Sequence, residues 1–558
     1  MIEPLRALLL SDFNISNFSD LLTHDAASPR VAVVGAPYGQ VQHVLLDKGH
    51  EGWKASPDFA VIWTSPQTVS PSWAARQSGE HVDLHTHLSD VDEYCKLLAT
   101  LQDRVRFTFV PLWCVAPEQS TGGLLDLQSE TGDAYALAAM NVRLMERLSA
   151  LTGVYALNTQ RWIEAAGPRA FNPKLWYMAK IPFDTAVFRS AAADIKAALS
   201  GLFGGARKLI VVDLDNTLWG GIVGDVGWEH IALGGHDPQG EAYVDFQRGL
   251  KTLQRKGVLL AIVSKNEEPV AWEAIERHPE MVLRREDFCG WRINWKDKAA
   301  NLDELVLELN LGLQSVVFLD DSPVERARVQ EALPEVLVPE LPDDRMFYRR
   351  TLMNLRCFDT GRRTSEDSGR TEMYRAERAR NAVRSQFASL DEWLQTLNTR
   401  VRVELLNDSN LSRAAQLLNK TNQFNLSTRR LTERELADWA AADARRVWTF
   451  RVADKLGDSG LTGIASLYIE GERGQIVDLV LSCRVMGRRI EETMLQVLLA
   501  SARERGLKQL YAQYVPTAKN KPCLSFLESA SARAAVEGHR FTWNVRDAYP
   551  CPDGITLE

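Results

Sequence analysis

Two aspartates spaced one residue apart, Asp213 and Asp215, are the residues of this sequence best placed to do chemistry. They follow the apolar run Leu209–Val212, which predicts a strand buried on both faces. Side chains two apart on a strand project to the same side, so the two carboxylates share one site and favour a divalent cation between them. The alternative is a strand that ends in a solvated acidic turn.

Three further stretches supply polar residues of the same kind. A second strand-like run ends at a serine, a predicted helix carries a lysine in its first turn, and a third run ends at two acids. In chain order these residues are Ser264, Lys298, Asp320 and Asp321. Alternating strands and helices predict a parallel sheet, whose carboxyl edge would collect all of them. Taken singly, Ser264 and Asp321 are also typical of helix caps, and Lys298 is also typical of a solvated lysine.

These residue types are the ones that phosphoryl or acyl-phosphate chemistry needs. A carboxylate nucleophile forms a covalent intermediate, and a second carboxylate protonates the leaving group and then activates water. We therefore predict Asp213 as the nucleophile and Asp215 as the acid and base, with Ser264 and Lys298 binding the phosphoryl oxygens. Magnesium offsets the repulsion between an anionic substrate and its anionic nucleophile. Its predicted ligands are Asp213, Asp215, Asp320 and Asp321.

The sequence leaves little room for a domain over this site. A glycine-rich stretch, 219–235, shows short apolar alternation and predicts a small β-hairpin flap. The gaps between Thr217 and Ser264 and between Ser264 and Lys298 accommodate the required helices and strands but no large cap. We expect an open site suited to a substrate presented by a macromolecule.

Composition narrows the class of protein. A chain of 558 residues suggests three or four domains. The net charge of −8 and the lack of a basic block argue against a nucleic-acid partner. The seven cysteines are scattered and odd in number, which predicts free thiols. No apolar run is long enough to cross a membrane, and Met1–Leu10 lacks the pattern of a signal peptide. We expect a cytoplasmic protein.

The N-terminal region predicts a separate α/β domain. Strand-like runs at 30–35, 59–64 and 106–112 alternate with helix-length segments. Ser11-Asp12 after a leucine run resembles the nucleophile block of SGNH hydrolases, but the stretch 171–183 lacks the histidine that such a site needs. We interpret the region as a degenerate binding or docking domain. His85 and His87 alternate as metal ligands on a strand would, although a solvated turn is the favoured interpretation.

The C-terminal region offers two polar motifs. The first, NKTNQFNLSTRR at 419–430, is interpreted either as a binding motif or as a capped helix end. The second follows a predicted strand and combines Arg484, Gly487 and Arg489 in a basic loop before a helix, where a pyrophosphate or phosphopantetheine group would bind. This loop resembles that of the GCN5-related acetyltransferases (GNAT), which have glycine or alanine where Arg489 stands. The tyrosine that such enzymes carry after Asn520 is replaced by Phe526 and Leu527.

The ordered set DLDNT, Ser264, Lys298 and Asp320-Asp321 resembles the four motifs of the haloacid dehalogenase (HAD) superfamily. With DLDNTLWGG, SKN, FLDDSPVER, NKTNQFN and SCRVMGR, the chain resembles the FkbH-like proteins of HAD subfamily IIIC over nearly its whole length. The resemblance implies a multi-domain α/β fold with a central HAD-type Rossmannoid parallel sheet without a large cap. The predicted regions are an SGNH-like domain (1–200), a HAD-like catalytic domain (205–345), linker helices (346–400) and a GNAT-like α+β domain (401–558).

The resemblance also implies an activity. FkbH-like proteins convert 1,3-bisphosphoglycerate into a glyceryl thioester on the phosphopantetheine arm of an acyl carrier protein, for polyketide or related secondary metabolism. Members of this group carry a cysteine between the two aspartates, where this chain has Leu214. Cys289 and Cys483 are the other thiols considered, each more typical of a structural residue. The alternative activity is a phosphatase that acts through phospho-Asp213, and a third possibility is a scaffold for carrier proteins.

Overall fold

The computed structural model of the chain describes residues 3–25, 27–35, 38–120, 123–129, 131–361, 369–384, 387, 389–517, 519–530, 534–547 and 549–558. The chain divides into two compact units, residues 1–200 and 201–558. Each is built on sheets with helices packed against them. The predicted multi-domain α/β fold class is confirmed.

The first unit contains a five-stranded parallel sheet with the order β2-β1-β3-β4-β5. The central strand β3 is buried at every position, as its sequence FAVIW predicts. The three strand-like runs predicted in this region are all strands. The strands are β1 Leu5–Ser11, β2 Val31–Gly35, β3 Phe59–Trp63, β4 Phe107–Pro111 and β5 Val154–Leu157.

The helices of the first unit include the segment that carries both histidines of the sequence HTH. His85 and His87 lie in a helix instead of on a strand, and His87 is fully buried with its Nδ1 2.6 Å from the Ser72 hydroxyl. The helices are Ser16–His24, Val41–Leu46, Glu51–Lys54, Pro66–Val69, Pro71–Gln77, Leu84–Ala99, Asp133–Ser149, Thr159–Ala166, Pro173–Ala179 and, at the boundary of the unit, Thr185–Leu202.

The second unit begins with a four-stranded parallel sheet of order β8-β7-β6-β9. Its strands are β6 Leu209–Val212, β7 Leu259–Ser264, β8 Phe288–Ile293 and β9 Val316–Leu319. Strands β6, β7 and β9 are buried at every position, because helices cover both faces. Those helices are Pro238–Arg255, Glu268–Arg277, Lys298–Glu308, Pro323–Ala332 and Tyr348–Met353.

The predicted β-hairpin flap at 219–235 is wrong. This stretch contains the one-turn helix Val223–Val226 and a single antiparallel bridge between Gly220 and Ala232. Gly221 and Gly227 have φ angles of 96° and 79°, values that favour turns over paired strands. The predicted lack of a large cap is confirmed, since residues 217–298 hold only this loop and the helices and strands of the domain.

The remainder of the second unit is an eight-stranded mixed sheet of order β15-β16-β14-β13-β12-β11-β10-β17. Strands β13 and β14 are parallel and joined by a helix, whereas β10 to β13 run antiparallel in succession. The strands are β10 Thr399–Leu405, β11 Arg445–Asp454, β12 Gly457–Glu470, β13 Arg473–Leu481, β14 Gln509–Gln513, β15 Ala534–Glu537, β16 Arg540–Asn544 and β17 Ile555–Leu557. The helices are Arg370–Arg384, Leu390–Leu397, Asp408–Lys420, Glu433–Ala440, Ile490–Glu504 and Lys521–Ala530.

Candidate active site

The register of the parallel sheet brings two acids together at its carboxyl edge. Val212 lies opposite Leu319, so Asp213 and Asp320 are the next residues of two neighbouring strands. The Asp213 amide donates to the Leu319 carbonyl at 2.9 Å and keeps the strands paired up to the site. Both aspartates are buried.

Lys298 lies between these two carboxylates. Its Nζ is 3.0 Å from Asp213 Oδ2 and 2.6 Å from Asp320 Oδ2. It is the first residue of the helix Lys298–Glu308, whose start is fixed by Asp297 accepting the Ala300 amide at 2.9 Å. Burial opposes the charge of Lys298, but the two carboxylates outweigh it and raise the pKa of the ammonium group.

The site carries more negative than positive charge. Burial and the proximity of Asp213 raise the pKa of Asp320 to about 7, despite the contact with Lys298. The pKa of Asp321 is also raised, first by burial and then by Asp213. The Asp321 amide donates to the Thr217 hydroxyl at 3.1 Å, and Arg345 approaches its carboxylate at 3.7 Å. A bound cation would relieve the excess negative charge.

Three of the four predicted metal ligands are positioned for one ion. Carboxylate oxygens of Asp213, Asp320 and Asp321 lie within 4.8 Å of one another. Asp213 Oδ1 is buried and has no hydrogen-bond partner among the described residues, so it can ligate an ion. An all-oxygen, carboxylate set of this kind suits Mg²⁺.

The Asp215 carboxylate is not part of that group. The Trp219 indole and the Val223 amide donate to its Oδ1 at 2.9 and 3.0 Å, and the Asn266 side chain donates to its Oδ2 at 2.9 Å. These donors turn the carboxylate away from a shared ion and hold it in a fixed orientation. Burial raises the pKa of Asp215, which suits a group that must carry a proton and then release it.

Ser264 is the last residue of β7 and is buried at the same edge of the sheet. Its backbone carbonyl accepts from the Asn294 amide at 3.1 Å. Two residues later, Asn266 reaches Asp215, a role that the sequence prediction did not include although Asn266 belongs to the same SKN motif. Arg345 was also missed, because it lies far along the chain and follows no strand.

The predicted phosphate-binding loop of the C-terminal sheet is occupied by internal ion pairs. Arg489 pairs with Glu492 at 2.9 Å and with Asp391 at 3.1 Å, and it has a φ angle of 61°, in the region that favours glycine. Gly487 also has a positive φ of 73°. Arg484 is buried; its Nε donates to the Ser482 hydroxyl at 3.3 Å. Arg489 is thus engaged by two carboxylates of the same domain, whereas Arg484 is buried beside Ser482.

In the first unit, the predicted nucleophile block is buried at the end of β1. The Ser11 hydroxyl accepts from the Phe13 amide at 3.2 Å, and the Asp12 carboxylate accepts from the Ser65 amide at 3.0 Å. The Ser11 hydroxyl thereby stabilises the turn after β1. No described helix is both long and apolar enough to cross a membrane.

The parallel sheet and the acidic site at its carboxyl edge resemble those of HAD-like α/β proteins that carry out phosphoryl chemistry. The chain is similar to the crystal structure of the N-terminal part of the protein BF1531 from Bacteroides fragilis, which contains a phosphatase domain complexed with Mg. The two share 29% sequence identity with a TM-score of 0.59, over 64% of this chain and 94% of that chain. This similarity supports phosphoryl chemistry at the acidic site, and the Mg in that crystal agrees with the predicted Mg²⁺.

Other known proteins give little further information about this chain. No protein-family model matches the sequence, and no curated protein matches it. An acetyltransferase of the GNAT family from Staphylococcus aureus aligns over 26% of this chain and 99% of that chain, with 8% identity and a TM-score of 0.21. An IAA acetyltransferase from Bacillus cereus aligns over 26% and 99%, with 13% identity and a TM-score of 0.19.

Proposed function

We propose that the central domain is an Mg²⁺-dependent enzyme that cleaves a phosphorylated substrate at Asp213. One observation carries the proposal: the carboxylates of Asp213, Asp320 and Asp321 converge within 4.8 Å, with Lys298 against two of them. Bound there, Mg²⁺ would neutralise this charge and that of the substrate phosphoryl group. Mg²⁺ is also bound by the similar phosphatase domain.

Four residues of the site have separate roles in the proposed cleavage. Lys298 and Ser264 bind phosphoryl oxygens, and the Asp213 carboxylate attacks phosphorus. The bond from phosphorus to the leaving oxygen breaks as Asp215 donates its proton to that oxygen. Asp215 then takes a proton from the water that attacks phospho-Asp213, and inorganic phosphate leaves.

The finer proposal concerns an acyl phosphate as the substrate and a carrier thiol as the acceptor. The thiol sulfur attacks the carbonyl carbon, the bond from that carbon to the phosphate oxygen breaks, and phosphate leaves with the electron pair while Asp215 accepts the thiol proton. The FkbH-like motifs and the absence of a large cap support this route, since a phosphopantetheine arm needs open access. The carrier would be an acyl carrier protein, and the acyl group glyceryl.

The thiol in this route belongs to the carrier. Leu214 is fully buried in the core of the sheet. Cys289 is also fully buried, and burial raises its pKa to about 12, which keeps it protonated. Cys483 lies after β13, and its sulfur is 3.6 Å from the Tyr374 hydroxyl. None of these three residues is suited to hold the acyl group at Asp213.

Incubation of the full chain with Mg²⁺ and an acyl phosphate tests both the proposed cleavage and the proposed transfer to a carrier. We expect phosphate release in every case, and a glyceryl mass on a holo acyl carrier protein when 1,3-bisphosphoglycerate is the donor. Asp213→Asn should lower phosphate release by at least about 10³-fold, whereas Lys265→Met, a lysine at the same edge, serves as the matched control. Phosphate release without carrier acylation supports the phosphatase alone, and unchanged activity in Asp213→Asn contradicts both.

A further inference from the structure

A cavity of about 80 Å³ lies inside the second unit, between the four-stranded sheet domain and the C-terminal mixed sheet. Its walls come from three parts of the chain that are far apart in sequence. One wall is formed by residues before β6 and β9, another by the helix Arg370–Arg384, and the third by the C-terminal sheet domain. The two domains therefore build the cavity jointly.

The charge of the walls is entirely of one sign. Five basic residues line the cavity, and none of its described lining residues is acidic. The basic residues are Lys208, Arg370, Arg413, Lys420 and Arg484. In a chain with a net charge of −8, a cavity whose described lining contains five basic residues and no acidic one is suited to an anion.

This cavity lies at the opposite edge of the sheet from the candidate active site. Lys208 immediately precedes β6, and Ser315 immediately precedes β9, whereas Asp213 and Asp320 follow these same strands. The strands thus separate a basic amino edge from an acidic carboxyl edge. An anion in the cavity would not share the site of Asp213.

Two motifs whose residues have no assigned role in the proposed reaction meet at this cavity. Residues 420–423 of NKTNQFN and residues 482–484 of SCRVMGR form part of its lining. Arg430 braces the first motif by donating to the Thr421 carbonyl at 3.2 Å, and Asn419 is joined to Leu431 by hydrogen bonds of 2.7 and 3.1 Å. Asn425 adds a hydrogen bond of 3.1 Å to the same Thr421 carbonyl. The loop is therefore held in shape before any ligand arrives.

We propose that this cavity binds a phosphate group, either as inorganic phosphate or as the terminal phosphate of a phosphomonoester. Its volume is far below the roughly 300 Å³ of sites that enclose a whole cofactor, so only the anionic group enters. Guanidinium groups bind phosphate oxygens with paired N–H donors, and the Lys208 ammonium adds a point charge. This inference does not depend on the proposed activity at Asp213.

Lys208 lies among other positively charged side chains. Burial lowers the pKa of Lys208, and the positive charges of Arg370, Arg430 and Arg484 lower it further. The Lys208 ammonium donates to the Lys420 carbonyl at 3.1 Å. A phosphate dianion would offset this repulsion and strengthen the contact between the two domains.

Isothermal titration of the full chain with inorganic phosphate and, separately, with 4′-phosphopantetheine tests the proposal. Both titrations are run in EDTA, because the carboxylates at Asp213 then repel anions. We expect saturable binding of at least one ligand, weakened at least about tenfold in Lys208→Met and in Arg413→Gln. Lys508→Met removes an exposed lysine paired with Glu472 and should leave the affinity within about twofold.

The outcomes separate the sources of the phosphate group. Equal affinity for both ligands identifies the bare phosphate group as the part recognised, and tighter binding of 4′-phosphopantetheine identifies an ester whose arm adds contacts outside the cavity. Absence of binding by the wild type, or equal weakening by Lys508→Met, overturns the proposal. If Lys208→Met does not fold, Arg413→Gln, on the helix Asp408–Lys420, provides the same comparison.

Discussion

Replacing Lys298 by methionine removes the one ammonium group that lies between Asp213 and Asp320, at 3.0 and 2.6 Å. Methionine keeps the length and apolar stem of the side chain, so the change isolates the charge. Removing one partner of a buried ion pair costs about 3–5 kcal/mol. Because the pKa of Asp320 is already raised to about 7, this carboxyl takes up a proton at a small cost in free energy. We therefore expect a loss of stability at the lower end of that range, about 3 kcal/mol.

The loss of stability caused by Lys298→Met should depend on pH with a defined sign. A carboxyl whose pKa is raised in the folded state destabilises the fold above that pKa, and protonation relieves the penalty as the pH falls. In EDTA, the loss caused by Lys298→Met should therefore be larger near about pH 8 than near about pH 6. Mg²⁺ should restore part of it, since a cation replaces the missing positive charge.

Hydrogen exchange of the β6 and β9 amides measures the loss of stability at the site itself, which suits a chain of several domains. A loss of about 3 kcal/mol corresponds to exchange faster by about 10²-fold after correction for intrinsic rates. Lys265→Met is the matched control, because Lys265 forms a 2.6 Å ion pair with Glu325 at the same edge but is 38% exposed. The loss of stability in Lys265→Met should stay below about 1 kcal/mol. Equal losses in the two variants, or a loss independent of pH, would refute the reasoning.

Three other substitutions test separate parts of the structure. Burial raises the pKa of Glu491 to about 7 from 4.5. Glu491→Gln should therefore stabilise the helix Ile490–Glu504 by up to about 3 kcal/mol near about pH 8, and by little below about pH 4. Hydrogen exchange of the helix amides measures this difference. Leu214→Cys should destabilise the sheet by roughly 2 kcal/mol and yield no acyl-enzyme by intact mass, because this side chain points into the core. Asn266→Ala removes a donor to Asp215 and should move the corresponding limb of the pH profile of kcat/KM upward by about half a unit or more.

Much of the sheet edge follows from local sequence rules. An apolar run before Asp213 and another before Asp320 predict two buried strands, and parallel pairing then makes their end residues neighbours. Lys298 is predictable as a helix-start residue, but its position between two carboxylates depends on how the helix packs against the sheet. The orientation of Asp215 was not predictable, since its donors Trp219 and Asn266 come from two different loops.

Other features depend on contacts that sequence periodicity does not encode. The glycines of 219–235 are compatible with a hairpin turn, but the positive φ angles of Gly221 and Gly227 break the pairing that a hairpin requires. The basic cavity is formed by residues from both domains, and Lys208 and Arg484 are separated by most of the second unit in sequence. Such a juxtaposition appears only once the domains are packed.

The position of a bound metal is the most direct test of the central claim. Crystals of the chain grown with Mn²⁺ in place of Mg²⁺ give an anomalous signal that locates the ion without reference to any assumed ligand. We expect one strong peak within coordination distance, about 2.0–2.3 Å, of carboxylate oxygens from Asp213 and at least one of Asp320 and Asp321. A peak at another site, or none at this edge in crystals that hold Mn²⁺ elsewhere, would contradict the account.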